Sequence, residues 1–382
     1  MATLSLSDLT SKLQDPEWAA ARITATYQPS GGPGARVFPP TFPISPTERS
    51  PYLMEERLAD DGQVRKATPL DQVPSQANRC EEAIAGAWRR GDVQLPMLRL
   101  RHEGATTFEI IGLAAPHRAF DAYWRDGLLD GVKFDRTAVG KALQAASLED
   151  ASALLRYDPG TLVYGGWNSH RKGRQAKFPR LYSSEVIGWD PVQGSRKAGR
   201  MDPANLTGSR SGDGDEWSYS PGGAKKADNK LSEIGHGNVA PGPSHGGVTI
   251  AEATRTAVLS LSATRRIGFG KLAPQACDAA RALLLALALL GDRLAFGHAG
   301  LWLRSGCDLV ICSEHLEWVG RGGVVEEFTL SPDDAVSVYQ QALDAAQAAG
   351  AGLHLEPIDL VPSEALASAI DFSLTKAEST GE

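Results

Sequence analysis

The sequence is poor in cysteine and lacks any long apolar run. Its 382 residues hold only Cys80, Cys277, Cys307 and Cys312, without the spacing of a disulfide framework. Such usage is typical of a reduced cytoplasmic protein. The longest apolar stretch, 282–290, is far shorter than the ~20 residues that a membrane-spanning helix needs, and the first residues lack the basic and apolar regions of a signal peptide. We therefore predict a cytoplasmic chain with no membrane contact.

The signatures of common enzymes are also missing. No GxxxxGK[ST] phosphate-binding loop is present. Cys307, Cys312 and His315 could supply three metal ligands, but the two cysteines flank a predicted strand, which favours buried thiols. His170 stands beside Ser169 without an identifiable third partner, so a nucleophile pair is not favoured. We predict no catalytic residue, no metal and no cofactor.

The net charge of −7 hides an uneven distribution of charge. Between Val163 and Arg200, eight Lys or Arg residues stand against two acids, whereas Lys376 is the only cation against nine acids from Ser331 onward. A molecule that is basic in the middle and acidic at one end can pack head to tail against copies of itself, which generates a filament. The alternative is that the acidic end only improves solubility.

The basic middle of the chain also contains aromatic residues and glycines. Cations contact phosphates, planar rings stack on bases, and glycines let the backbone approach, so this composition is typical of a single-stranded nucleic-acid interface. The alternatives are a solvated basic surface and tryptophans in the core. The candidate contacts in this stretch are Trp167, Asn168, Ser169, His170, Arg171, Lys172, Lys177 and Arg180.

A predicted helix from Ser75 to Gly91 offers a second candidate contact. Ser75 can cap it, and Gly91 is a natural end. Because a helix N-terminus presents free N–H groups, the first-turn side chains could help to hold a phosphate. The alternative is an ordinary cap with polar neighbours. The residues concerned are Ser75, Gln76, Asn78 and Arg79.

The remaining elements follow from periodicity and from turn residues. Residues 28–51 are proline-rich and predict an extended arm, and residues 191–247, with twelve glycines and five prolines, predict no regular structure. This second segment either closes over a bound polymer or is a passive linker. Further helices are predicted over 7–25, 117–130, 274–290 and 331–350, strands over 98–101, 106–113, 257–263, 301–304, 308–312 and 353–356, and a hairpin over 316–325.

From residue 257 onward, the predicted order is β-α-β-β-α-β. This is the ferredoxin-like pattern of RNA-recognition domains, so we predict an α+β fold built on an RNA-recognition-like palm. The predicted parts are a helix and arm (1–51), a portion that carries the basic stretch (52–190), a mobile insertion (191–247), a palm portion (248–360) and an acidic tail (361–382).

Several stretches resemble one known family. Residues 70–84 (LDQVPSQANRCEEAI), 115–127 (APHRAFDAYWRDG), 163–190 and 263–270 (ATRRIGFG) resemble the backbone subunit of type I-U, or I-G, CRISPR surveillance complexes, a branch of the RAMP superfamily. The resemblance implies a palm with finger and thumb elements. It also implies that several copies stack along one guide RNA, kink it at intervals and present it for pairing with target DNA.

The resemblance also implies partners and further contacts. Expected partners are the CRISPR guide RNA, target DNA, copies of the chain itself and other subunits of the complex. Arg265, Arg266 and Lys271 would lie where the glycine-rich loop of such palms meets RNA. In this family the backbone subunit is not the nuclease. The alternative is a RAMP-type endoribonuclease that processes precursor guide RNA, with His170 as acid or base.

Overall fold

The computed structural model describes residues 2–43, 50–59, 61–168, 176–211, 217–221, 229–303 and 306–380. The fold is mixed α/β. Its strands are β1 (Ala2–Thr3), β2 (Trp18–Pro29), β3 (Glu55–Leu58), β4 (Val64–Asp71), β5 (Leu98–Glu103), β6 (Thr107–Ile111), β7 (Gly127–Leu129), β8 (Val132–Lys133), β9 (Gly166–Asn168), β10 (Ala176–Phe178), β11 (Tyr182–Trp189), β12 (Val192–Arg200), β13 (Ser209–Ser211), β14 (Ser218–Ser220), β15 (Val239–Thr249), β16 (Glu252–Ser260), β17 (Gly300–Leu303), β18 (Cys307–Gly320), β19 (Val325–Thr329) and β20 (Ile358–Pro362). Its α-helices are α1 (Leu6–Gln14), α2 (Val73–Arg90), α3 (Ala122–Arg125), α4 (Ala138–Ala145), α5 (Ser152–Tyr157), α6 (Pro159–Tyr164), α7 (Leu261–Arg265), α8 (Pro274–Phe296), α9 (Pro332–Ala348) and α10 (Glu364–Thr380).

The larger sheet carries the core on one face. Within the described residues its strand order is β1-β19-β18-β2-β16-β11-β4-β3, and β17 pairs with β18. On β2, Ala21, Ile23, Ala25 and Tyr27 are buried, as the two-residue repeat of a strand with one covered face requires. Helix α8 lies in this core and is buried nearly all round, which confirms the helix predicted from its apolar sequence and extends it to Phe296.

One part of the ferredoxin-like pattern is present. Strands β16 and β18 both run antiparallel to β2, which lies between them, and helix α8 connects them. This arrangement is a split β-α-β unit. The final strand of the predicted pattern is wrong, because residues 353–356 are not a strand and the next strand, β20, lies in the other sheet. The complete palm therefore stays a prediction.

The predicted helix over 7–25 is wrong in its second half. Helix α1 begins with a capping box between Ser5 and Asp8 and ends at Asp15, whose backbone is extended. Pro16 follows, and from Trp18 the chain is the central strand β2. The alternation of small or apolar residues with polar ones after Pro16 has a period of two, which fits a strand.

Two other helix predictions need correction. Helix α2 begins at Val73, with Gln72 as its N-cap and without a side-chain cap, so Ser75 is not the cap. Gly91 ends it in the left-handed conformation, as predicted. The helix predicted over 117–130 is a 3₁₀ turn at Arg118–Phe120, the short helix α3 and strand β7.

Other predicted elements are present. Strands β5 and β6, predicted over 98–101 and 106–113, pair antiparallel, and β18 turns at 321–323 into β19, which confirms the hairpin predicted over 316–325. Helix α9, predicted over 331–350, begins with a capping box of Ser331 and Asp334. Within the described residues, no helix combines the length and the apolar composition that a membrane crossing requires.

Residues 191–247 contain regular structure, contrary to the prediction from composition. Strands β12 and β15 pair antiparallel and continue the hairpin that β11 and β16 form within the sheet. Backbone pairing joins the two strands of this ribbon, and nearly every residue of β12 is exposed. The proline-rich arm contacts the base of the ribbon through a bridge between Val37 and Val248.

Candidate nucleic-acid interface

A short two-stranded segment, β9 with β10, carries the middle of the predicted contact stretch. Lys177 and Trp167 are directly opposite each other in its antiparallel register. Both side chains are exposed, with 52% of Trp167 accessible. Opposite residues project to the same face of a strand pair, so a cation and an aromatic ring lie side by side. Asn168 projects to the other face and is buried.

Four predicted contacts fall between these strands. Ser169, His170, Arg171 and Lys172 lie outside the described residues. Arg180 follows β10, and its side chain is exposed. Partial burial, together with the charge of Arg118, lowers the pKa of its guanidinium. The described part of this stretch therefore places Trp167 and Lys177 side by side, with Arg180 exposed just beyond β10.

Two glycines make the turn into β9 possible. Gly165 has φ 87° and ψ 156°, a conformation that is essentially restricted to glycine. A Cβ atom there would lie 2.9 Å from Cγ of Arg180, and one on Gly166 would lie 2.7 Å from Cγ2 of Thr161. The Gly-Gly pair thus lets helix α6 pass directly into the strand that carries Trp167.

A buried ion pair fixes the start of β9. Arg118 donates from Nε and Nη2 to the two carboxylate oxygens of Glu81 on α2, and from Nη1 to the carbonyl oxygen of Gly165 at 3.1 Å. Arg118 is 8% exposed and Glu81 is 1% exposed. Because the pair is desolvated and bidentate, it holds β9 firmly against α2. We name this group of three residues the Arg118 clamp.

No local sequence pattern indicates this clamp. Glu81 and Arg118 are separated by two strands, and the backbone of Arg118 has φ 50°, which no helix prediction anticipates. The Trp124 indole N–H donates to the Arg118 carbonyl oxygen, so the unusual backbone is held by a side chain from α3. A buried position for Arg118 was not expected, since arginine is rarely buried without a partner.

Burial raises the pKa of two carboxyl groups, those of Glu81 and Asp158. It raises the pKa of Glu81 to about 7, although the hydrogen bonds from Arg118 act in the opposite direction. It raises the pKa of Asp158 to about 6, against the hydrogen bond from the Thr161 N–H. Oδ2 of Asp158 has no hydrogen-bond partner among the described residues. Both groups therefore bind protons more tightly in the folded protein than in the unfolded chain.

The raised pKa of Asp158 predicts that the effect of Asp158→Asn on stability depends on pH. The ordinary pKa of this group is 3.8, so its stabilising contribution is complete below about pH 4 and is lost as the pH rises to about 6. Asparagine keeps the helix cap but does not titrate. We expect the free energy of unfolding of Asp158→Asn, relative to wild type, to rise by about 3 kcal/mol between pH 4 and 7. Denaturant titrations at several pH values measure this, and a difference that does not change with pH would contradict it.

The start of α2 differs from its predicted role. Gln76 has no exposed surface, and its Oε1 accepts hydrogen bonds from Ser184 Oγ (2.8 Å) and Arg255 Nε (3.2 Å). Arg79 pairs with Asp71 at 2.7 Å and donates to the carbonyl oxygen of Trp302. Gln76 is therefore corrected from a candidate RNA contact to part of the core, because a buried side chain cannot reach a surface ligand.

The two remaining side chains of that group stay candidates. Asn78 is exposed and Ser75 is half-buried. Within the described residues, neither side chain hydrogen-bonds to the buried network that holds Gln76, and both lie on the first turns of an 18-residue helix. Their role in binding RNA remains a prediction.

Arg265 is likewise a structural residue. Its guanidinium donates to the carbonyl oxygens of Leu13 (2.7 Å), Trp18 (2.8 Å) and two further residues at the end of α1. These bonds use four of its five N–H donors and join α7 to the α1–β2 turn, so a role of Arg265 in binding RNA stays a prediction. Arg266 and Lys271 are exposed, and their role remains a prediction.

The β12–β15 ribbon adds a basic surface. Neither strand contains Asp or Glu, whereas β12 carries Arg196, Lys197 and Arg200, all exposed. Arg200 donates to the carbonyl oxygens of His236 and Gly237, and the Arg196 guanidinium lies 5.7 Å from the centre of the Phe38 ring. The ribbon therefore presents positive charge on a slender element outside the core.

The comparison with protein families gives one match. Residues 21–192 match the family described as CRISPR-associated protein GSU0053, a little under half of the chain. This match supports a CRISPR-associated family. No curated protein matches the chain.

The matched segment contains the Arg118 clamp, the β9–β10 pair and Arg180. Arg265, Arg266, Lys271 and the returning ribbon strand β15 lie beyond it. Anywhere in the described part of the chain, no group of three or more His, Cys, Asp or Glu side chains is arranged so that it could hold a metal ion.

Two other sequence features resolve in the structure. Cys307 is buried, as predicted, but Cys312 is exposed, so the prediction of two buried thiols is wrong for Cys312. The G-x-S-x-G letters at 242–246 lie inside β15, where residues 242–245 pair with β12, and not at the sharp strand-to-helix turn of a nucleophile elbow.

Proposed function

We propose that this chain is the non-catalytic backbone subunit of a type I-U/I-G CRISPR effector complex in the cytoplasm. Several copies bind one guide RNA as a helical filament and present it for pairing with target DNA. The observation that carries the proposal is the pairing of exposed Trp167 with exposed Lys177 on a strand pair whose start is fixed by the Arg118 clamp. The match to a CRISPR-associated family supports it.

The charges of this surface favour a single-stranded polyanion. Lys177 and Arg180 would contact phosphates, and Trp167 offers a ring on which any base can stack, so binding would be tolerant of sequence. Tolerance suits a guide, whose sequence differs from one complex to the next. The ribbon with Arg196, Lys197 and Arg200 supplies more positive charge for the same strand or for the target DNA.

The rigidity of the strand pair also supports this function. A base stacks well only on a ring that is held in place, since ordering a mobile side chain opposes binding. Gly165 and Arg118 restrict the start of β9, and Phe120 stacks on Phe178 of β10 with ring centres 6.0 Å apart. The strand that carries this aromatic platform, Trp167, is therefore held at its start, and its partner strand β10 is packed through Phe178.

Salt-dependent binding of guide RNA tests the proposal. We expect the purified chain to bind a guide RNA of natural length, and its affinity to fall about 50-fold between 50 and 200 mM salt if four phosphates are neutralised. Fluorescence anisotropy of labelled RNA measures this, with an uncharged peptide-nucleic-acid strand as the control ligand. Protein that stays monomeric and ignores guide RNA at low salt would refute the proposal.

A second measurement separates binding from cleavage. The chain is expected to leave precursor repeat RNA intact during incubation without metal, because we assign it no catalytic residue. Clean cleavage that is lost on His170→Ala would instead establish the endoribonuclease alternative.

A further inference from the structure

Two buried carboxyl groups share the guanidinium of the Arg118 clamp. Arg118 donates to the two carboxylate oxygens of Glu81, at 2.5 and 2.7 Å, and its charge also acts on the carboxyl group of Asp158. All three side chains are buried. With both acids ionised, this group would therefore contain two negative charges and one positive charge. Because an uncompensated buried charge is costly, the arrangement favours a proton on one of the two carboxyl groups.

The surroundings of Asp158 agree with this charge count. Its Oδ1 accepts the N–H of Thr161 at 3.1 Å, whereas its Oδ2 has no hydrogen-bond partner among the described residues. A Cβ atom on Gly112 would lie 3.4 Å from Oδ2, so backbone packs against this oxygen. Burial raises the pKa of Asp158 to about 6 and that of Glu81 to about 7. Since the charge of Asp158 also acts on Glu81, the proton belongs to the pair rather than to one residue.

Tyr164 and Cys80 are further titratable groups beside this pair. The Arg118 guanidinium lies 5.7 Å from the centre of the Tyr164 ring, and the charge of Glu81 acts on the Cys80 thiol. Burial raises the pKa of both groups above their ordinary values, which already lie above pH 7. Both are therefore neutral near pH 7, and a proton exchanged here is exchanged by the two carboxyl groups.

Arg180 connects the buried pair with the surface. A Cβ atom on Gly165 would lie 2.9 Å from Cγ of Arg180, and the carbonyl oxygen of Gly165 accepts a hydrogen bond from Arg118, so the two arginines meet at one residue. The charge of Arg180 opposes the effect of burial on the pKa of Glu81. Two arginines then balance two acids. Arg180 is exposed, however, so a ligand can reach its charge from outside.

We propose that a single-stranded polyanion, when it engages Arg180, causes the Glu81–Asp158 pair to take up a proton from solvent. This inference rests on the proposed binding of RNA to the surface that carries Arg180. A phosphate beside Arg180 neutralises the charge that compensates the second buried carboxylate, so the protonated form of the pair becomes more stable. Because the complex then holds more protons than the free protein, RNA affinity rises as the pH falls and declines as the pH rises.

Proton uptake during RNA binding tests this coupling. We expect the full chain to bind an oligouridine strand about 2- to 5-fold more tightly at pH 6 than at pH 8, as follows if the complex binds the proton about 3- to 10-fold more tightly than the free protein. Uracil and phosphodiester groups do not titrate in this range, so the strand itself contributes no proton. Calorimetric titrations at pH 6.5 in PIPES and in Bis-Tris, which differ in ionisation enthalpy, should show net proton uptake by the protein.

Asp158→Asn and Arg180→Gln should each remove this proton uptake. Asparagine keeps the cap of α6 and leaves Glu81 and Arg118 as a charge-balanced pair, so oligouridine should still bind, without the dependence on pH. Arg180→Gln should bind more weakly and also without uptake, and its exposed position lets it decide the question alone if Asp158→Asn does not fold. The matched control is Lys177→Gln, on the exposed face beside Trp167, which should weaken binding and keep the uptake.

Failure of the coupling is distinguishable from failure of the proposed function. If oligouridine binds without proton uptake and with the same affinity at pH 6 and pH 8, the coupling is wrong and the proposed function stands. Uptake that persists in Arg180→Gln or in folded Asp158→Asn would assign the proton to another group, such as a histidine, and would also overturn the inference. A chain that binds neither oligouridine nor guide RNA at any of these pH values would refute the proposed function and the coupling together.

Discussion

Replacing Arg118 with methionine should lower the free energy of unfolding by about 3 to 5 kcal/mol, since it leaves Glu81 buried without its partner. Only 2% of the Glu81 side chain is exposed, so water cannot replace the lost hydrogen bonds. The carbonyl oxygen of Gly165 loses its donor at the same time. We therefore expect RNA affinity to fall together with stability, because the start of β9 is no longer held.

A double variant separates these two effects. In Arg118→Met with Glu81→Met, both charges are gone and apolar side chains of similar length fill the space, so most of the lost stability should return. The hydrogen bond to Gly165 does not return, and RNA affinity should stay reduced. Denaturant titrations and RNA anisotropy on the same samples measure both quantities.

An exposed pair provides the matched control. Arg125 and Asp126 are an ion pair with 46% and 36% of their side chains exposed, so Arg125→Met should change stability by less than about 1 kcal/mol. If Arg118→Met has an equally small effect, the clamp does not hold the fold, and our account of how β9 is positioned is wrong.

Trp167→Ala should lower the affinity for guide RNA about 10-fold or more for each copy of the chain, since the stacking of one base on an aromatic ring contributes roughly 1 to 3 kcal/mol. Adding Lys177→Glu should reduce affinity further and make the salt dependence shallower, because one phosphate contact is removed. Both side chains are exposed, so neither change should lower the melting temperature substantially.

Phe372→Ala is the control for this aromatic substitution. Phe372 is 70% exposed on α10, outside the β9–β10 pair, and its removal should leave RNA affinity within about two-fold of wild type. Equal losses for Phe372→Ala and Trp167→Ala would indicate a general effect of surface apolarity, and no change for Trp167→Ala would remove the aromatic platform from the proposed interface.

Local rules predicted much of the fold. The capping box of Ser331 and Asp334, the stop at Gly91 and the apolar helix 274–290 depend on residues that are close in sequence. The β5–β6 hairpin belongs to the same class. Such signals survive folding because the contacts that determine each element lie within the element itself.

Long-range contacts account for most of the failures. The apparent helix after residue 14 is the central strand because β16 and β18 pair with it from more than 200 residues away. Gln76 and Arg265 carry the residue types of an RNA contact, yet partners distant in sequence engage both. Composition also misled at 191–247, where backbone pairing organises a segment that has little apolar surface to bury.

The candidate site was predicted in part. The sequence identified Trp167, Lys177 and Arg180 by their type and spacing, and the structure gives all three exposed surface. It could not identify the Arg118 clamp, because the clamp arises where α2, the 3₁₀ turn at Arg118 and the residue before β9 meet.

Strand β20 has a consequence for synthesis on the ribosome. It is the middle strand of the smaller sheet, parallel to β5 and antiparallel to β7, although some 230 residues separate it from β7. Before residues 358–362 are synthesised, that sheet consists of two separate hairpins with open edges, so β5–β6 and β7–β8 cannot join into one sheet until β20 leaves the ribosome. We therefore expect chaperones to bind a nascent chain that is stalled before β20.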